Sequence, residues 1–139
     1  MIAQLATLLT AIVTILALLM YFWTSFRVGG MRGKHNIQAP ATSGHPDFDR
    51  AYRVQMNTLE YLVIFLPLLW LANAYFHPYP YLVGAFGLVW IVGRIVYALA
   101  YMANPSSRGL GFGIAGVATL GLLVLAIIGI AQTWMALSA

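Results

Sequence analysis

Residues 48–70 read FDRAYRVQMNTLEYLVIFLPLLW, a polar segment joined without a break to an apolar one. The second half belongs in a membrane or a buried core. The first half carries Arg50, Arg53, Gln55, Asn57 and Glu60, the groups that hydrocarbon tolerates least. The stretch raises one question: why should an apolar helix begin with charge?

The rest of the chain narrows the answer. Of 139 residues, 62% are hydrophobic and 7% charged, whereas soluble domains are nearer half apolar and a quarter charged. A chain this short cannot hide so much apolar surface from water, so it faces lipid. Stretches at roughly 2–26, 56–76, 82–103 and 110–134 each approach or exceed the ~20 residues that cross ~30 Å of hydrocarbon. Lipid offers the backbone no hydrogen bonds, so each is expected to be helical. The expected architecture is a single all-α domain spanning 1–139, a four-helix membrane bundle with one longer loop at 27–46. The first stretch lacks the basic n-region and short apolar core of a cleaved signal, and reads as a permanent span. There is no cysteine, so any sulfur chemistry must come from a ligand.

Charge sets the expected orientation. Arg27, Arg32, Lys34, Arg50 and Arg53 lie in or beside the first loop and Arg108 in the third, while HPYPY (77–81) has neither Lys nor Arg. The positive-inside rule then puts loops one and three in the cytoplasm and both termini on the other side. The net charge of +4 is mostly topology, and basic residues this few give a nucleic-acid role no support. GFGIAG (111–116) fits a dinucleotide fingerprint in form, but no strand precedes it, and its small residues suit close helix packing. His35, His45 and His77 are too scattered in sequence to suggest a metal site.

Two polar stripes remain. Arg53, Asn57, Glu60 and Tyr61 fall at i, i+4, i+7 and i+8, one helical face. Arg94, Tyr97 and Tyr101 form a second, with Arg108 about two turns beyond. The bland reading has Arg53 reaching to the interface, Glu60 pairing with Arg94, and the tyrosines joining an aromatic belt. Intramembrane charge costs ~2.5–3.5 kcal/mol per residue on insertion scales and usually marks a functional site. Arg53, Arg94 and Arg108 against one carboxylate call for an anionic guest. Arginine grips carboxylates in bidentate fashion, Glu binds an ammonium, and Asn and Gln satisfy amides. A small zwitterionic peptide suits that set.

FDRAYRVQMNTLEY (48–61), PATSGHPDF (40–48), GRIVYALAY (93–101) and Arg108 together resemble the MAPEG family, the membrane-associated proteins in eicosanoid and glutathione metabolism. Gln55 makes the sequence most similar to the leukotriene C4 synthase and microsomal glutathione transferase 2 branch. The resemblance implies a homotrimer of four-helix subunits binding glutathione at subunit interfaces near the cytosolic face. It implies glutathione contacts from Arg32, Arg53, Gln55, Asn57, Glu60, Tyr61 and Tyr97, with Tyr101 lining the pocket. Arg94 falls at a basic position of the family's third helix, and Arg108 at the arginine that stabilises the glutathione thiolate. Gly33 stands where leukotriene-forming members carry a second arginine, so opening of that lipid epoxide is not implied. Val63 stands where relatives often have proline, and Pro67 follows one turn later, shifting the expected kink.

The expected activity is glutathione transfer, with peroxidase action as a variant, toward hydrophobic electrophiles arriving through the bilayer of the endoplasmic reticulum or a bacterial inner membrane. The alternatives are a non-enzymatic lipid-binding or scaffold protein, disfavoured by an arginine at position 53, and a small channel or transporter. A transporter calls for broken helices and half-repeats, and the sequence has neither.

Overall fold

The computed structural model describes residues 1–139 as four long helices and no strand: α1 Ile2–His35, α2 Pro46–Tyr75, α3 Pro80–Ala103 and α4 Gly109–Ser138, with a single 3-10 turn at Pro105–Arg108 before α4. All four are long and apolar enough to cross a membrane. The expected all-α, four-span architecture is present.

The helix ends differ from the sequence reading. The first helix, expected to stop at residue 26, continues to His35, and the second begins at Pro46 rather than 56. The loop expected at 27–46 shrinks to Asn36–His45, and Arg27, Arg32 and Lys34 are helical. Apolar length reports the thickness of hydrocarbon, not the length of the helix. At ~1.5 Å per residue, the 34 residues of α1 and 30 of α2 outrun a core of ~30 Å. Gly29, Gly30 and Gly33 made the α1 extension read as loop, since each glycine costs a helix roughly 0.5–1 kcal/mol against alanine. Packing overrides that cost. Val28, Phe48 and Ala51 form a small core of their own, with Met31, Ile37 and Tyr52 against it.

This overhang answers the question posed by residues 48–70. Counting back the ~20 residues that hydrocarbon takes from Tyr75, the start of the polar half, through Arg53 and Gln55, is the part of α2 that projects beyond it, on the same helix and in register with the apolar half. His45 caps α2, its Nδ1 accepting the Asp47 N–H at 3.2 Å, and Asp47 and Asp49 occupy the first turn, where carboxylates suit the positive end of the helix dipole. Asn36, in the left-handed region at φ 53°, ends α1.

The main core runs down the bundle axis. On α2 the buried column is Val54, Thr58, Leu62, Phe65, Leu69 and Ala72, spaced three or four apart as a helix demands. Phe65 stacks on Trp90 of α3, ring centroids 3.9 Å apart. Pro67 sits exposed within a continuous helix. Far from the loop end, Thr10 donates to Asn73 Oδ1 at 3.0 Å, tying α1 to α2.

The α3–α4 contact is closer. A Cβ on Gly93 would come within 2.6 Å of the Ala115 backbone nitrogen, and one on Gly111 would land on the Tyr97 backbone. Of the small residues in 111–116, Gly111 and Ala115 therefore make the close packing expected of the run. Gly113 and Gly116 have open space around them. Gly111→Ala should destabilise the protein by ~1–3 kcal/mol through overpacking, whereas Gly113→Ala should be neutral or slightly stabilising. Thermal unfolding of both variants in one detergent checks the contrast. Ser43 in the first loop and Tyr79 beside α3 lie at opposite ends of α2, so Ser43→Cys and Tyr79→Cys should label from opposite sides of a sealed membrane.

Candidate functional site

The site begins with Arg94. Its side chain is completely buried between α2 and α3. Nη2 donates to Thr58 Oγ1 at 2.8 Å and to Asn57 Oδ1 at 3.1 Å. The guanidinium carbon lies 4.2 Å from the Tyr97 ring centroid and 5.2 Å from that of Tyr61, so two π faces also face the charge. Its Nε and Nη1 are buried and find no acceptor within the chain.

Glu60 does not pair directly with Arg94, as the bland reading had it. Asn57 stands between them, its Nδ2 donating to Glu60 Oε2 at 3.4 Å while its carbonyl takes the arginine. The amide thus links a buried cation to an exposed carboxylate, and each end of Asn57 is oriented by a charge.

Outward from this relay lies a cavity of about 430 Å³ lined by Arg53, Asn57, Tyr97, Tyr101, Arg108, Gly109 and Phe112. Such a volume falls in the ~300–1,000 Å³ range of small-molecule sites. Tyr97 and Tyr101 are neighbours at 5.6 Å between ring centroids, and the Arg108 guanidinium lies 5.8 Å from the Tyr101 ring. Tyr61 packs edge-on against Phe112 at 5.6 Å. Arg108 is also the residue before α4, whose first turn has no side-chain cap. The positive end of that helix's dipole reinforces a positive field. Arg50, just outside, donates weakly to the Met102 carbonyl at 3.4 Å and holds the start of α2 to the end of α3.

Of the residues singled out in the sequence, Arg53, Asn57, Tyr97, Tyr101 and Arg108 line the cavity together, and Glu60, Tyr61 and Arg94 adjoin it through the contacts above. Arg32 and Gln55 do not. Gln55 Nε2 donates to Ser25 Oγ on α1 at 3.0 Å, and the Arg32 guanidinium lies over the Phe48 ring at 4.7 Å. Position 55 is about 200° around the helix from 53, at roughly 100° per residue. Thr58 and Phe112 were missed. The available signal for Thr58 was a hydroxyl interrupting an otherwise apolar column. His35, His45 and Asp47, discounted for their scatter in sequence, also converge: their potential ligand atoms lie within 4.8 Å of one another. Helix ends that meet at a loop bring residues ten apart into contact.

Fold and site define a multi-pass integral membrane protein with a cation-rich, aromatic-lined cavity near one end of its bundle. The chain belongs to the MAPEG family, whose family model matches residues 10–128. It is 40% identical over 120 residues to an uncharacterized Synechocystis protein, covering 86% of each chain. It is 35% identical to mouse microsomal glutathione S-transferase 2, over 91% of this chain and 85% of the relative. Guinea pig (Cavia porcellus) leukotriene C4 synthase is 38% identical, over 83% of this chain and 81% of the relative.

Thr58→Val should expose how far the cavity depends on the buried arginine. A hydrogen bond to a charged group is worth ~1.5–3 kcal/mol, and its loss should lower the melting temperature. Thr58→Ser, which keeps the hydroxyl, should restore most of it.

Proposed function

We propose that this protein is a membrane-embedded glutathione transferase, with peroxidase action on lipid hydroperoxides as a variant of the same chemistry. Glutathione is its co-substrate, and its second substrate is a hydrophobic electrophile delivered by the bilayer. The observation that carries the reading is the cavity itself, where Arg53 and Arg108 converge beside the Arg94–Asn57–Glu60 relay. Glutathione presents two carboxylates, one amine, two amides and a thiol. Arg53 suits a carboxylate, Glu60 the amine, and the tyrosine hydroxyls and Asn57 the remaining polar atoms.

Arg108 is assigned the thiol. A free thiol has a pKa of ~8.5, and a neighbouring Arg or Lys brings it to ~3.5–7.5. A fall of two pH units takes about 2.7 kcal/mol of preferential stabilisation of the thiolate. Arg108 supplies a charge that cannot be lost at physiological pH, and the first turn of α4 adds its dipole. The thiol proton leaves to water, and the sulfur then forms a bond to the electrophilic carbon. The leaving group departs with the electron pair, or an opened epoxide oxygen takes up a proton. Holding both reactants in one place supplies much of the rate. With glycine at 33, the reading does not extend to the leukotriene epoxide.

The functional unit in this proposal is a homotrimer. Arg32 and Gln55 lie across α2 from the cavity in their own subunit, and join a glutathione site where one copy packs its α1–α2 side against the cavity of the next. The loop end, with its arginines, faces the cytoplasm, and both termini and His77–Tyr81 face the opposite side of an endoplasmic reticulum or bacterial inner membrane.

Arg108→Ala should raise the pKa of bound glutathione and lower turnover while leaving affinity comparatively intact, read from thiolate ultraviolet absorbance across pH. An unchanged thiolate pKa and turnover would remove Arg108 from the role. Arg53→Ala and Glu60→Gln should each weaken glutathione binding by ~2–5 kcal/mol, the usual cost of one partner in a desolvated pair. Calorimetry showing wild-type affinity in both would make the polar face of α2 structural.

A further inference from the structure

We propose that His35, His45 and Asp47 form a zinc-type divalent-metal site that clasps the end of α1 to the start of α2. The three residues lie at the loop end of the bundle, outside the cavity. Their potential ligand atoms all fall within 4.8 Å of one another. His35 Nε2 is 3.6 Å from Asp47 Oδ2, and His45 Nδ1 is 3.8 Å from the same oxygen. Ligands at ~2.0–2.2 Å from a tetrahedral ion stand roughly 3.3–3.6 Å apart, so both histidine-to-Asp47 distances are within a few tenths of an ångström of coordination spacing.

One of the three groups has an unused ring nitrogen buried in the cluster. His35 Nε2 is buried without a hydrogen-bond partner. Both imidazole distances to the Asp47 carboxylate are too long for a strong hydrogen bond, yet the three side chains lie side by side. Two imidazoles and a carboxylate are the donor set that zinc takes with water in a fourth position. Asp47 brings a negative charge to offset the ion, and its half-exposed carboxylate leaves a path for entry.

One rearrangement is required. The two rings are stacked, centroids 3.6 Å apart and planes 13° from parallel, whereas a shared ion needs in-plane lone pairs that meet. His45 is the ring free to turn, its side chain being 42% exposed. Turning gives up the cap bond to the Asp47 N–H, one hydrogen bond to a neutral ring, far less than metal coordination returns. The clasp would then tie α1, which carries Arg32, to the α2 segment that carries Arg53. It would act as a structural staple, not as part of the chemistry.

The chain's composition makes the test clean. There is no cysteine, and His77 is the only other histidine, at the far end of α2. Tag-free protein in detergent, stripped with chelator, is titrated with zinc chloride by calorimetry and followed by thermal unfolding. The expected result is one zinc per chain and a melting temperature that rises with zinc. His35→Gln, Asp47→Asn and His45→Asn should each weaken binding by more than the roughly 10–100-fold typical of an outer-shell partner. His45→Asn keeps a good helix cap, so its loss of zinc cannot be laid to misfolding. His77→Gln should bind as wild type. No stoichiometric binding, or binding that survives His35→Gln with His45→Asn, overturns the proposal. Glutathione binding is scored separately, and its outcome bears only on the cavity.

Discussion

A guanidinium with no exposure to solvent must find partners within the bundle, and Arg94 finds them for Nη2 by reaching from α3 to Asn57 and Thr58 on α2. Burying a charge without partners costs several kcal/mol even after relaxation, so the two helices have little freedom to slide. Moving α3 along α2 by one residue would take the guanidinium off both acceptors at once. The register so fixed is the one that sets Arg53 and Asn57 opposite Tyr97 and Tyr101. Close packing of Gly93 and Gly111 then fixes α4 against α3, which brings Arg108 and Phe112 to the same cavity. A single buried cation and a glycine contact thereby position six residues of the site that are up to 59 positions apart in sequence, from Arg53 to Phe112.

The same arginine explains why the cavity is cationic rather than neutral. Arg94 is compensated by dipoles and ring faces, with only the relayed, exposed Glu60 as a nearby carboxylate. Dipoles stabilise a charge without cancelling its field. Arg53 and Arg108 at the cavity wall add to that field, and a water-poor surround screens it weakly. An anion entering from the loop end meets attraction that no carboxylate in the cavity lining opposes.

Much of this was legible in the sequence, for identifiable reasons. Four spans follow from hydropathy alone, because lipid permits so few backbone solutions. The face bearing Arg53, Asn57, Glu60 and Tyr61 follows from helical periodicity, and the stripe through Tyr97 and Tyr101 likewise. Helix ends were not legible, since α1 past Phe26 is held by Val28 packing with Phe48 and Ala51 of α2, a tertiary contact that no local propensity records. The Asn57 bridge was also hidden. Spacing places Asn57 and Glu60 on a face but cannot tell whether an arginine on another helix meets the carboxylate or the amide. The histidine cluster was lost with the helix ends, because a loop imagined from 27 to 46 gives His35 and His45 no fixed geometry.

Satisfaction of polar groups also bears on the proposed assembly. In the isolated subunit Glu60 is exposed, although counting back ~20 residues of hydrocarbon from Tyr75 places it about one turn inside the membrane. Lipid against that carboxylate would be costly. Arg94 Nε and Nη1 and Arg32 Nη1 are buried without acceptors, while Gln55 spends its amide on a lone serine hydroxyl. The deficits lie on both sides of α2, the cavity side lacking acceptors for cations and a cover for Glu60, the α1 side presenting donors. The proposed homotrimer uses a heterologous contact, in which the α1 side of one copy meets the cavity side of the next; such a contact joins surfaces that differ and closes into a ring when the rotation between copies closes. Three copies about an axis along the membrane normal would hide every Glu60 from lipid, and an anionic peptide at each junction would supply the acceptors that the protein alone does not.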